Sequence, residues 1–156
     1  HGAHVFSVDP WEDRPLDSWP DGYHDQTVLA SYSEPGVKDA YLAHLTEAGV
    51  ADLVTPVQGY GAEIAALYEG PPVGLLWHDA EHTVEAVAKD LRAWLPHMAD
   101  GSVIVLHDAG NPNFGVADGA KRVLAHRKGW DWAGRELQLW PKQPDRRGIL
   151  IVRHKG

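Results

Sequence analysis

Two spacings of apolar residues alternate along this chain. Residues 73–77 and 102–106 are short runs without charge, Val-Gly-Leu-Leu-Trp and Ser-Val-Ile-Val-Leu. Runs of this kind predict buried strands. Residues 3–8 and 53–57 predict two further strands. Between them the spacing changes to that of a helix. Val84, Val87, Leu91 and Trp94 form one apolar stripe and predict a helix over 83–96. Val37, Tyr41 and Leu45 do the same for 37–48, with Gly49 as a stop. Shorter helices are predicted at 62–68, closed by Gly70 and Pro71-Pro72, and at 116–127. Asp100-Gly101 reads as a turn. Residues 135–140 and 148–153 predict a late antiparallel strand pair joined through 141–147. Residues 10–34 are polar and rich in Pro and Trp, and read as a long loop with a short helix at 25–32. Strands alternating with helices predict an α/β fold with a mostly parallel sheet.

Length and composition agree with this picture. The 156 residues suit one domain. Apolar residues at 44% and charged residues at 23% are the balance of a soluble globular protein. No apolar run reaches the roughly 20 residues of a membrane span, and no secretory leader is expected. Zero cysteines exclude disulfides and thiolate metal sites, and a cytoplasmic location is expected. The formal charge of −8 makes nucleic acid an unfavourable partner. Acidic residues can still collect a divalent cation.

The candidate chemistry lies where the strands stop. The first ends at Asp9, the 73–77 strand runs into His78-Asp79, and the 102–106 strand runs into His107-Asp108. In a parallel sheet, carboxylates at such positions line the rim where open α/β sheets bind ligands. Each also has an ordinary reading, because Asp commonly caps helices and starts turns. Asp9 stands where a carboxylate can accept hydrogen bonds from ribose hydroxyls. Asp79 and Asp108 can both offer oxygen to Mg²⁺. His107 could add nitrogen, tilting the choice toward Mn²⁺, Fe²⁺ or Zn²⁺. His82, three residues past Asp79, can serve as a general base, because an unperturbed imidazole titrates near neutrality. His78 is expected to point away by strand alternation. With ten His in the chain, His44, His97, His126 and His154 are taken as background.

These residues carry a resemblance. The run Leu75-Leu76-Trp77-His78-Asp79-Ala80-Glu81-His82, then Asp90-Leu91, Trp94-Leu95-Pro96, Asp100-Gly101 and Val105-Leu106-His107-Asp108, is similar to a pattern of class I S-adenosylmethionine-dependent methyltransferases. It resembles the group of macrocin-type sugar O-methyltransferases and cephalosporin-hydroxylase-like proteins. Val8-Asp9-Pro10-Trp11 resembles the family's second strand with its acidic end, and Phe114-Gly115-Val116 its segment after the fifth strand. The resemblance implies a Rossmann-like three-layer α/β/α sandwich. It implies methyl transfer from S-adenosylmethionine to a hydroxyl of a small molecule, a sugar or natural product, with help from Mg²⁺ or another divalent metal. Asp79, His107 and Asp108 would hold the metal and His82 would be the base. Asp9, Gly59, Tyr60 and Asp79 would contact the cofactor. The family's first strand and glycine-rich loop are not in this chain, and its metal-dependent members carry an acid where His107 stands.

Two other readings remain open. One is a metal-dependent hydrolase or oxygenase using Asp79, His82, His107 and Asp108. The other is a non-catalytic methyltransferase-like domain, with Trp11 and Trp19 on a partner surface and Trp77 and Trp94 in the core. The expected partner is a small-molecule acceptor, with neither nucleic acid nor membrane, and homo-oligomer formation is left open.

Overall fold

The computed structural model describes residues 3–11, 36–139 and 148–156. The predicted helix at 25–32, Trp19, and the connection 141–147 lie outside the described residues. The chain forms two compact units, His1–Tyr60 and Gly61–Gly156.

In the first unit, β1 (Val5–Asp9) pairs in parallel with β2 (Val54–Gln58), in register from Val5 opposite Val54 to Asp9 opposite Gln58. Helix α1 (Val37–Glu47) and a single 3₁₀ turn, Ala51–Leu53, connect them on the described side. Gly49 ends α1 with φ 68°, a left-handed stop that glycine takes without steric cost.

The second unit carries helix α2 (Gly61–Ala66), strand β3 (Val73–His78), helix α3 (Val84–Trp94), strand β4 (Met98–Leu106), helix α4 (Val116–Leu124) and strands β5 (Glu136–Leu139) and β6 (Gly148–Arg153). The sheet order is β3-β4-β6-β5. β3 and β4 are parallel, and β5 and β6 form the antiparallel pair that the sequence predicts; β6 also runs antiparallel to β4, which the sequence pattern does not predict. The described strands thus form one two-stranded and one four-stranded sheet.

The core of this unit follows from the helical stripes. Thr83 caps α3 by accepting the Ala86 N–H at 3.2 Å. This sets the helix so that Val87, Leu91 and Trp94 are buried. Val87 and Leu91 pack with Ile104 and Leu106 of β4, Leu150 and Val152 of β6, and Val116, Ala120 and Leu124 of α4, while Trp94 meets the rings of Tyr68 and His97. Alternation along β6 buries Leu150 and Val152 on the same side.

Two expectations are corrected here. β3 was predicted to be buried on both faces, with Trp77 in the core. Leu76 does pack against the core, but Leu75 and Trp77 are 59% and 54% exposed. Alternation turns them to the opposite face, which no described residue covers fully. Asp100-Gly101 is not a turn between elements. β4 already starts at Met98, and its pairing with β3 slips between Val73 and Leu75. Gly101, at φ 71°, sits in this irregularity.

Gly119 shows how tightly α3 and α4 meet. A β-carbon there would lie 2.8 Å from Val87 Cβ and 2.9 Å from the Val84 carbonyl oxygen. Helix propensity alone favours alanine over glycine by about 1 kcal/mol. Overpacking costs about 1–3 kcal/mol, and the neighbours are a backbone carbonyl and a branch carbon that cannot swing away. Gly119→Ala is therefore expected to destabilise the protein, read as a lower urea midpoint with an unchanged slope.

Candidate active site

The ends of β3 and β4 lie side by side because the strands are parallel, with His78 opposite Leu106. The His107 N–H donates to the His78 carbonyl at 3.0 Å and extends the ladder by one step. Beyond it the chain bends sharply. Asp108 takes φ 54°, a left-handed conformation that Asp tolerates better than most residues. The bend is tied down by the Ala109 N–H donating to Gly148 O at 3.1 Å and the Asn111 N–H donating to Asp108 O at 3.1 Å. His82 comes from the turn between Asp79 and the Thr83 cap.

Four predicted side chains meet here. His107 Nδ1 lies 3.1 Å from Asp79 Oδ1 and 3.5 Å from Asp108 Oδ1. His82 Nε2 lies 3.5 Å from Asp79 Oδ1 and 4.0 Å from Asp108 Oδ2. The side chains grade from open to closed, with Asp79 44% exposed and Asp108 10%. Burial pushes the Asp79 carboxyl upward. The His82 side chain and the positive charge of His107, His82 and His78 outweigh that, and hold it below the usual aspartate value of 3.8.

Ligand atoms of Asp79, His82 and His107 all lie within 4.8 Å of one another. Two imidazoles and a carboxylate suit a divalent transition ion, and added carboxylate oxygen also suits Mn²⁺ or Mg²⁺. One polar atom supports the fit. Among the described residues Asp108 Oδ1 is buried without a hydrogen-bond donor, its nearest imidazole nitrogen being His107 Nδ1 at 3.5 Å. Buried polar atoms normally have partners, and a cation beside it would supply one. The sequence pattern put Asp79, His107 and Asp108 in the metal set and kept His82 as base. The geometry instead groups His82 with Asp79 and His107 and leaves Asp108 outside that trio. Spacing alone could not show this, because the reach of His82 depends on the turn that carries it.

His78 is not in the cluster. It is buried, and its Nε2 lies 3.2 Å from Asp90 Oδ2 on α3. Strand alternation turns His78 away from Asp79, as expected. Phe114 stacks on His82, with centroids 4.6 Å apart and planes 6° from parallel. Trp77 lies beside His107 at 6.0 Å between centroids.

The predicted cofactor residues Asp9, Gly59 and Tyr60 belong to the first unit. Asp9 ends β1, and its Oδ1 accepts the Trp11 N–H at 2.6 Å. Its carbonyl accepts the Gly59 N–H at 3.1 Å. Asp9 thus performs the turn-capping role open to any such aspartate, and Gly59 follows the neighbouring strand end. Gly59 adopts φ 152°, and Tyr60 is 44% exposed.

Strands ending in acids, helices packed on a partly parallel sheet, and an antiparallel pair among the last strands belong to a Rossmann-like α/β fold, and the comparisons with known proteins give it the class of S-adenosylmethionine-dependent methyltransferases. A methyltransferase-domain family matches residues 1–109, and the chain belongs to that family. Its class is that of S-adenosylmethionine-dependent methyltransferase enzymes. Among solved structures, cofactor-bound Rv0187 from MTB is 18% identical, with TM-score 0.64 over 97% of this chain and 72% of that one. The O-methyltransferase TomG from Streptomyces achromogenes, involved in tomaymycin synthesis and solved with SAM, is 16% identical, with TM-score 0.65 over 98% and 73%. CalS11, a calicheamicin methyltransferase, is 20% identical, with TM-score 0.60 over 94% and 59%. At these identities the likeness is one of fold. The comparison with curated proteins gives no match.

Proposed function

We propose that this protein is an O-methyltransferase that moves the methyl group of S-adenosylmethionine to a hydroxyl of a small molecule, a sugar or natural product, with a divalent cation at the acceptor. The observation that carries the reading is the cluster of Asp79, His82, His107 and Asp108 at two adjacent parallel strand ends. Family membership supports the donor. TomG, an O-methyltransferase, and CalS11, described in a second structure as a TDP-rhamnose 3'-O-methyltransferase, support the acceptor class.

Methyl transfer needs two things from the protein: alignment of donor and acceptor, and removal of the acceptor proton. Asp79, His107 and Asp108 would hold the cation, with His82 as a further donor to it or as the base. When bound, the cation lowers the pKa of a hydroxyl beside it. Asp79 stays ionised because its carboxyl is held below the usual value. Asp108 presents a buried carboxylate from a fixed bend, so it orients rather than searches. His82, with Nε2 facing both carboxylates, is placed to take the hydroxyl proton, and each carboxylate can stabilise the imidazolium that results. Asp9, Gly59 and Tyr60 of the first unit would contact the donor's ribose and adenine. A single domain, a cytoplasmic setting and a homo-oligomer are compatible parts of this proposal.

Calorimetry on the intact protein tests the donor. Saturable binding of S-adenosylmethionine below millimolar concentration is expected, and its absence at millimolar donor ends the proposal. The hydrolase or oxygenase reading shares the same four side chains. Turnover of a substrate without methyl donor, in the presence of iron or zinc, would favour it instead.

A further inference from the structure

We propose that Phe114 is a positioning residue that fixes the imidazole of His82 against the two carboxylates. The inference rests on His82 acting at the reacting centre, as proposed above. Three observations carry it. First, the rings of Phe114 and His82 stack in parallel, with 4.6 Å between centroids and 6° between planes. The χ2 torsion of a histidine is broad and only weakly self-limiting, so a flat neighbour is needed to define the ring plane. Second, the next residue holds the backbone of the same histidine: the Gly115 N–H donates to the His82 carbonyl at 2.7 Å. Third, this contact has no slack. A β-carbon on Gly115 would overlap the Val84 backbone nitrogen and lie 2.6 Å from Val84 Cγ2. Gly115 has φ −87°, so glycine is required here by space and not by backbone conformation.

The turn that delivers Phe114 starts at the site itself. The Asn111 N–H donates to Asp108 O at 3.1 Å, the Phe114 N–H donates to Asn111 O at 3.2 Å, and the Asn113 N–H donates to Asn111 Oδ1 at 3.0 Å. Asp108 and the plane of His82 are therefore set by one hydrogen-bonded segment. The imidazole edge that results points Nε2 to within 3.5 Å of Asp79 and 4.0 Å of Asp108. Nothing in the sequence between 108 and 114 announces this, because a Phe after a polar turn reads as ordinary core.

The test compares Phe114→Leu and Phe114→Tyr in the intact protein. Leucine keeps apolar bulk and loses the flat face, whereas tyrosine keeps the face. Misplacement of a reacting group by about 1 Å can cost on the order of 100-fold. Phe114→Leu is expected to lower kcat by about 10- to 100-fold, with KM for S-adenosylmethionine little changed and a modest fall in melting temperature, because Phe114 also packs against the core. Phe114→Tyr is expected to restore kcat. Leucine as active as the parent, or tyrosine as impaired as leucine, overturns the proposal. A second readout needs no turnover. The His82 ring protons are expected to carry an upfield ring-current shift that Phe114→Leu removes and Phe114→Tyr keeps, and a shift unaffected by Phe114→Leu also overturns it. If His82→Ala leaves methyl transfer intact, the functional reading fails, while the ring-current result still decides whether Phe114 orients His82.

Discussion

Replacing His82 with alanine is expected to lower kcat for methyl transfer by about 10²- to 10⁴-fold, the range that a positioned general base contributes. The fold should survive, because the His82 side chain is about a quarter exposed and lies outside the buried core of α3, α4 and the sheet. What separates its two roles is cation binding. A histidine that only accepts a proton can be removed without loss of Co²⁺ or Mn²⁺ affinity. A histidine that ligates cannot, since Asp79, His82 and His107 make the tightest trio at the site. Calorimetric titration of parent and variant with either ion, beside single-turnover rates, reads both quantities. Loss of kcat with unchanged cation affinity assigns the base. Loss of both assigns a ligand, and loss of neither removes His82 from the mechanism.

Much of this site can be read without coordinates because parallel strands constrain their ends. Once residues 73–77 and 102–106 are strands of one parallel sheet, Asp79, His107 and Asp108 must stand near one another, and they do. Strand alternation also separates His78 from Asp79 correctly, sending His78 toward Asp90. The misreadings have physical causes. An uncharged run looks the same whether one face or both are covered, so Leu75 and Trp77 read as buried although over half their surface is open. Asp100-Gly101 has turn chemistry, yet the hydrogen-bonded ladder absorbs it as an irregularity within β4. The place of His82 beside both carboxylates depends on a contact from residues 114–115, more than 30 positions along the chain. Local spacing carries no record of such a contact. Asp9 is legible as a strand-end acid, but its Oδ1 on the Trp11 N–H shows why that signature is ambiguous: capping and ligand binding ask for the same side chain.

Asp79→Asn is expected to produce the widest combined loss. The change keeps size and removes the charge, so it isolates electrostatics from packing. Replacing partners in the outer shell of metal sites costs about 10- to 100-fold in affinity, and a direct carboxylate ligand should cost at least the upper end of that range. Asp79 Oδ1 is also the atom nearest to both imidazoles, 3.1 Å from His107 and 3.5 Å from His82, so the same substitution removes the carboxylate charge that faces both rings. Methyl transfer should therefore fall by more than it does in His82→Ala, while Co²⁺ affinity drops in parallel. Acid stability supplies a separate signature. A carboxyl whose folded value lies below its unfolded 3.8 adds stability above that value, and this is lost as pH falls through the lower folded value. Asp79→Asn should abolish that part of the acid-side loss and leave stability between the two forms closest at low pH. In the parent, protonation of Asp79 does not limit cation binding in mildly acidic solution. If Asp79→Asn binds Co²⁺ as tightly as the parent and still transfers methyl at the parent rate, the strand-end cluster is not the reacting centre.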